Sequence, residues 1–146
     1  MTKHFKREEL ARCFRENGAR CKECPLKQSA DKLPDGVEEN LQALVENVLE
    51  PARQRYGGPI LVNSGYRCLV HNKTVGGVSS SQHMRGEAVD IRPVKSEKLK
   101  DKSELERLAE IIIENGKWDQ MIIYSTFLHV SYKRNDANRR QVLYKV

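Results

Sequence analysis

The chain has 146 residues and a formal net charge of +6 at pH 7, which is the usual size of one domain. It contains no stretch of about 18 apolar residues, and the opening segment MTKHFKREEL lacks the apolar core of a signal peptide. We therefore expect a single domain over 1–146, with no membrane span, that is cytoplasmic when synthesised and monomeric.

The positive charge favours polyanions as partners without choosing among them. Its densest run, formed by Lys133, Arg134, Arg139 and Arg140, has no interleaved aromatic residues and matches no nucleic-acid motif. We interpret this run as a solvated face and expect no specific nucleic-acid partner.

The segment 1–36 mixes charge with the turn formers that end it, and we predict an irregular N-terminal arm with one short helix over Lys6 to Asn17. Cys13, Cys21 and Cys24 lie in this arm, and Cys68 lies further on. Only one pair has the two-residue gap of a zinc knuckle. Reduced thiols, a second structural metal and a disulfide all stay open, although a cytosolic chain disfavours the disulfide.

Helical periodicity begins at Val37 and ends at Gly57, and a second helix is predicted from a capping box at Ser103 to a stop at Gly116. Strands are predicted over 60–62, 87–91, 118–124 and 127–132, with a possible edge strand over 141–146. This order indicates an α+β fold, with a small antiparallel sheet packed against two main helices.

The segment SQHMRGEAVD, from Ser81 to Asp90, places His83 and Asp90 on either side of a glycine turn. His129, in LHVSY, can complete a set of three metal ligands. Three protein ligands leave one coordination position of zinc for water. Zinc lowers the pKa of such a water to about 7 and polarises a carbonyl, so the pattern favours metal-assisted hydrolysis.

Four motifs occur in the order of M15-type peptidases: SGYR at Ser64 to Arg67, NKTVGG, S-x-H-x-x-G-x-A-x-D, and a final H-V-S. From about Val37 to Tyr132 the chain resembles zinc D-Ala-D-Ala carboxypeptidases and endolysin L-Ala-D-Glu peptidases. The same zinc fold is similar to the signalling domain of Hedgehog proteins, which is not known for peptidase work. The resemblance implies that fold, a Zn²⁺ cofactor and peptidoglycan peptides as substrate.

The resemblance also places Arg67 at the site, where a planar guanidinium suits a substrate carboxylate or an oxyanion. Ser81 and Gln82 are predicted either to contact substrate or to orient His83. Tyr124 is a candidate hydrogen-bond donor to an oxyanion. Asn72 is expected to fix the NKTVGG loop.

One expected group is missing. Related enzymes carry a glutamate a few residues before the last zinc histidine, or a second histidine two residues before it. No carboxylate lies between Tyr124 and His129, and Phe127 stands where that histidine would be. A peptidase needs a general base, and Asp119 is the nearest upstream candidate.

Two functions follow. The first is a zinc metallopeptidase that cuts cell-wall muropeptides, as a carboxypeptidase or an endopeptidase. A small basic chain of this kind fits a phage or prophage lysis protein released by lysis or a holin. The alternative is a catalytically inactive zinc-containing binding protein of the same fold.

Overall fold

A computed structural model describes residues 1–11, 33–94 and 102–145. In chain order its elements are α1 (Arg7–Leu10), α2 (Val37–Leu44), a π-helical turn (Val45–Leu49), α3 (Glu50–Tyr56), β1 (Ile60–Ser64), α4 (Leu69–Thr74), a 3₁₀ turn (Gln82–Arg85), β2 (Ala88–Pro93), α5 (Lys102–Asn115), β3 (Gln120–Tyr124), β4 (Leu128–Ser131) and β5 (Gln141–Lys145). The predicted helices and strands are confirmed as elements. The fold class is α+β, as expected.

The five strands form one sheet in the order β1-β2-β4-β3-β5. Neighbouring strands are antiparallel except β3 and β5, which are parallel. The sequence predicted an antiparallel sheet throughout. The edge differs because β4 already pairs with β2 on one side and β3 on the other, so β5 pairs instead on the outer side of β3. Since β3 and β5 both run antiparallel to β4, they are parallel to each other.

Alternation along the strands gives the sheet two different faces. The apolar face carries the buried residues Val89, Ile91, Met121, Ile123, Leu128 and Val130, which belong to the same core as the inward residues of α2, α3 and α5. Asp90 on β2 and Ile122 and His129 on the central strands point to the opposite face. The core therefore leaves that second face available for a site.

The long helix that starts at Val37 continues to Tyr56 through the π-helical turn. Pro51 explains the turn, since proline has no N–H and its ring collides with the carbonyl four residues earlier in a regular helix. At this turn the Glu50 N–H bonds to the Val45 carbonyl, five residues back. The Asn47 carbonyl, which Pro51 cannot use, accepts a hydrogen bond from the Asn115 side chain at 2.8 Å. This bond joins the long helix to the end of α5.

The beginning of the chain packs into the core. Phe5 and Leu10 are fully buried, and the Leu10 carbonyl accepts a hydrogen bond from the Tyr66 N–H at 2.7 Å. Helix α1 confirms the start of the predicted helix over Lys6 to Asn17, but it ends at Leu10, and Ala11 with φ −135° is already outside it. Residues 12–17 lie outside the described residues, as do Cys13, Cys21 and Cys24. No helix of the described ranges is long and apolar enough to span a bilayer.

Candidate metal centre

His83, Asp90 and His129 meet on the open face of the sheet. His83 Nε2 lies 3.3 Å from His129 Nδ1 and 3.3 Å from Asp90 Oδ1. His129 Nδ1 lies 3.0 Å from the same Asp90 oxygen. Three potential ligand atoms therefore form a nearly equilateral triangle, as the sequence pattern predicted.

Two sides of this triangle are built by the sheet. Asp90 and His129 are direct partners in the β2–β4 pairing, so their side chains leave the sheet next to each other on one face. Their neighbours Val89 and Val130 are also paired, and both are fully buried on the other face. Burial of the apolar face thus fixes the register that brings the two polar residues together.

Gly86 brings in the third side. It ends the 3₁₀ turn that carries His83, and its φ is +74°, a conformation that L side chains rarely adopt. A Cβ at this position would lie 2.6 Å from the Val37 carbonyl oxygen. The chain can turn back towards Asp90 here only because Gly86 has no side chain.

The backbone orients the His83 ring. His83 Nδ1 lies 2.8 Å from the Gly65 carbonyl oxygen, and since a carbonyl only accepts, Nδ1 carries the proton. In the neutral form that binds a metal, the ring directs its Nε2 lone pair at the triangle. In the charged form, which has a proton on Nε2, it donates to Asp90 instead. The Ser81 hydroxyl accepts a hydrogen bond from the His83 N–H at 3.2 Å. This contact corresponds to the second of its two predicted roles, the orientation of His83.

Arg67 contacts the carboxylate of Asp90. Its Nη2 donates to Asp90 Oδ2 at 3.1 Å, and its Nε donates to the Ser64 hydroxyl at 3.0 Å. The Asp90 oxygen held by Arg67 is the one that does not face the histidines. Arg67 therefore fixes the carboxylate so that Oδ1 points into the triangle, in addition to lining the cavity described below.

The electrostatics favour a charged Asp90. Burial would raise the pKa of its carboxyl, but hydrogen bonds from His129 and His83 and their charge interactions outweigh burial and hold this pKa well below its ordinary value. An ionised carboxylate is the form that binds a cation.

The three atoms fit zinc. Ligand atoms about 2.0–2.1 Å from a tetrahedral zinc ion lie about 3.3–3.4 Å from one another, close to the 3.0–3.3 Å of this triangle. Two imidazole nitrogens and one carboxylate oxygen also form a donor set that suits zinc better than it suits magnesium or calcium. Within the described residues, these three side chains form the group able to hold a metal ion.

An open cavity of about 780 Å³ lies over the triangle. Gln82 and Tyr124 line it, and the Tyr124 ring stacks on Phe127 with a centroid distance of 4.4 Å. The loop from Val75 to Val78 forms one rim, and Asn72 holds it through a 2.8 Å hydrogen bond to the Val78 carbonyl, as predicted. The metal triangle is thus accessible to a ligand of peptide size.

Asp119, predicted as the general base, is fully buried and is not among the residues that line the cavity in the described ranges. Its Oδ1 accepts from the Arg139 N–H at 2.8 Å, and its Oδ2 accepts from Arg139 Nη2 at 2.9 Å and Gln82 Nε2 at 3.2 Å. Burial would raise the pKa of Asp119, but the bonds from Arg139 outweigh it and lower the pKa. These contacts make Asp119 an anchor for two cavity residues.

One wall of the cavity is formed by residues that the sequence did not indicate as functional, since their pattern was interpreted as solvent-facing. Lys133 and Arg139, predicted to be part of a solvated face, line the cavity together with Gln120 and Lys145. The signal available was the alternation of Gln120 with Tyr124 on the face that also carries His129. Lys133 and Arg139 lie in the connection between β4 and β5, and Lys145 lies on β5, whose parallel pairing local patterns do not predict.

Fold and site together define a small α+β protein with a His–Asp–His centre able to hold one metal ion at the floor of a cavity. The peptidase M15 family model matches residues 3–131, and the chain belongs to this family. Membership supports peptidase activity on a peptide substrate. A search of curated proteins finds no significant match.

Proposed function

We propose that this protein is a zinc metallopeptidase that hydrolyses peptide bonds in bacterial cell-wall muropeptides. The observation that carries the proposal is the ligand triangle of His83, Asp90 and His129 at the floor of an accessible cavity in a member of the peptidase M15 family. In this proposal the three residues hold the ion. When bound, zinc would supply the Lewis acidity that polarises the carbonyl of a peptide bond.

The chain's own residues position that chemistry. The Gly65 carbonyl and the Ser81 hydroxyl set the orientation of His83, and Arg67 sets that of Asp90. Tyr124, on the cavity wall, is the side chain proposed to donate a hydrogen bond to the carbonyl oxygen as it gains charge.

A second candidate is a zinc-containing binding protein of the same fold without turnover. It is favoured by one observation: apart from Asp90, no carboxylate among the described residues lines the cavity. A general base for hydrolysis would have to come from another group.

One experiment decides between the two. Zinc-loaded protein is incubated with purified muropeptides, and the products are followed by mass spectrometry beside EDTA-treated protein and the His83→Ala variant. His71→Ala is the matched control, because His71 does not line the cavity. We expect cleavage that EDTA and His83→Ala abolish and His71→Ala leaves intact, with product masses that name the bond. Stoichiometric zinc without cleavage would support the binding protein.

A further inference from the structure

The cavity over the metal triangle is strongly basic. Its lining includes five cationic side chains, which are Arg67, Arg85, Lys133, Arg139 and Lys145. Asp90 is the one carboxylate that lines it within the described ranges. A lining of this composition attracts anionic groups.

Local ion pairs remove only part of this charge. Arg67 pairs with Asp90, and Arg85 pairs with Glu87 at 2.9 Å. Asp119, behind the cavity lining, pairs with two of the cations, Arg139 at 2.9 Å and Lys133 at 3.9 Å.

Lys145 makes no ion pair within the part of the chain that the structure describes. The side formed by Lys133, Arg139 and Lys145, here called the basic wall, thus carries three positive charges against the single negative charge of Asp119.

The basic wall faces solvent, and its Arg139 is held in place by Asp119. Asp119 is fully buried and binds Arg139 through both oxygens, while 48% of the Arg139 side chain and 25% of the Lys133 side chain stay exposed. Lys145 is aligned by the parallel pairing that places it opposite Tyr124. Arg139 is thus a fixed, partly exposed cation, which loses little freedom when it binds an anion.

All three residues of the basic wall follow residue 131, where the match to the family model ends. They come from the β4–β5 connection and from β5. Arg67, predicted to bind a substrate carboxylate or an oxyanion, donates a hydrogen bond to Asp90. The basic wall therefore offers cations that can bind a substrate carboxylate in place of Arg67.

We propose that Lys133, Arg139 and Lys145 form an anion subsite that binds a carboxylate of the substrate close to the scissile bond. The favoured substrates are acidic peptides with a free carboxylate beside the cleaved bond. This inference rests on the proposed peptidase function. The lining also includes the exposed apolar side chains of Val75 and Val78, which offer no partner to an anion, so the basic wall is the favourable place for the acidic group.

The test uses two synthetic peptides with an amidated C-terminus, L-alanyl-γ-D-glutamyl-L-lysyl-D-alaninamide and the same peptide with the α-carboxylate of its D-glutamate also amidated, so that they differ only in the carboxylate beside the Ala–Glu bond. The kcat/KM of the zinc-loaded protein is measured for both. We expect kcat/KM to be roughly fivefold or more higher for the acidic peptide, because of a lower KM. This preference should decrease as the salt concentration is raised. The Lys133→Gln/Lys145→Gln variant should lose this preference, while Lys117→Gln, an exposed lysine outside the cavity, should keep it.

Equal use of the two peptides by the parent protein, or a preference that survives in the double variant, would overturn the subsite. If neither peptide is cleaved, the proposed peptidase function fails for these substrates, and direct binding by calorimetry decides the subsite. Tighter binding of the acidic peptide that the double variant abolishes would support it. Equal or absent binding would overturn it.

Discussion

The guanidinium of Arg67 holds Asp90 by the oxygen that faces away from the two histidines, at 3.1 Å. A second bond to Ser64 at 3.0 Å fixes the plane of the guanidinium. The carboxylate is thereby pre-oriented, with Oδ1 directed at His83 and His129.

The first prediction concerns this pair. Arg67→Lys cannot make both bonds, because an ammonium group has no planar fork. We expect its zinc affinity to fall about 10-fold or more, the usual effect of losing such a supporting contact, as measured by competition with a chromogenic chelator. Arg85→Lys is the control, since Arg85 lines the same cavity but bonds to Glu87. Unchanged affinity together with a lower kcat would mean that Arg67 acts on the substrate.

The second prediction concerns the metal. Zinc at about 100 times its dissociation constant should stabilise the folded chain by about 2.7 kcal/mol, seen as a higher melting temperature. Magnesium should give no shift, because two imidazole ligands suit it poorly. His129→Ala should lose the response to zinc. A zinc response of normal size in that variant would contradict the proposed ligand set.

The third prediction compares two glycines of equal backbone conformation. Gly86 has φ +74° and Gly57 has φ +76°, but a Cβ would meet the Val37 carbonyl only at Gly86 and open space at Gly57. Alanine should cost about 1–2 kcal/mol at either position for the left-handed conformation. At Gly86 it should cost about 1–3 kcal/mol more through overpacking. Urea unfolding of both variants measures the difference, and equal losses would show that the turn adapts.

The fourth prediction addresses Asp119. Because its carboxylate is buried and bonded to Arg139 and Gln82, Asp119→Asn should lower the free energy of unfolding by about 2–3 kcal/mol. Asp136→Asn, at an exposed carboxylate, should change it little. Both variants are compared by urea unfolding and by turnover. An Asp119→Asn protein of undiminished stability that has lost turnover would bear out the general-base role predicted from the sequence.

The fifth prediction is a pH dependence. Glu50 and His4 meet at 2.6 Å, although the two residues are 46 positions apart. Burial would raise the pKa of Glu50, but the His4 hydrogen bonds outweigh it and lower the pKa from 4.5 to about 2. A lowered pKa stabilises the folded state above pH 4.5, and this stabilisation is lost as the pH falls from 4.5 through 2. Glu50→Gln should reduce the acid dependence of unfolding in that range. Exposed Glu110→Gln should leave it as in the parent.

Much of the fold and the metal centre could be predicted from local patterns. Val37 begins a helix whose apolar positions recur at helical intervals, and the alternation around Asp90 and His129 marks two strands that each bury one face. Each of these signals lies within a few residues. The turn between His83 and Asp90 has an equally local signal, because Gly86 itself provides the positive φ that the turn needs.

What escaped prediction depends on contacts between distant segments. The π-helical turn needs Pro51 and also a donor from Asn115, 68 residues from the Asn47 carbonyl that it bonds. The parallel edge strand and the burial of Asp119 behind Arg139 arise from the return of the chain after β4. Periodic patterns in the sequence do not predict contacts between segments so far apart.

The position of the strands gives the two halves of the cavity different resistance to opening. Asp90 and His129 are on β2 and β4, each of which is hydrogen-bonded on both sides, whereas Lys145 is on β5, which ends the sheet. Edge strands open by local fluctuation, while interior strands open only when much of the domain unfolds. Fraying of β5 therefore moves Lys145 away from the basic wall and leaves the metal ligands assembled, so the basic wall and the metal centre can open independently of each other.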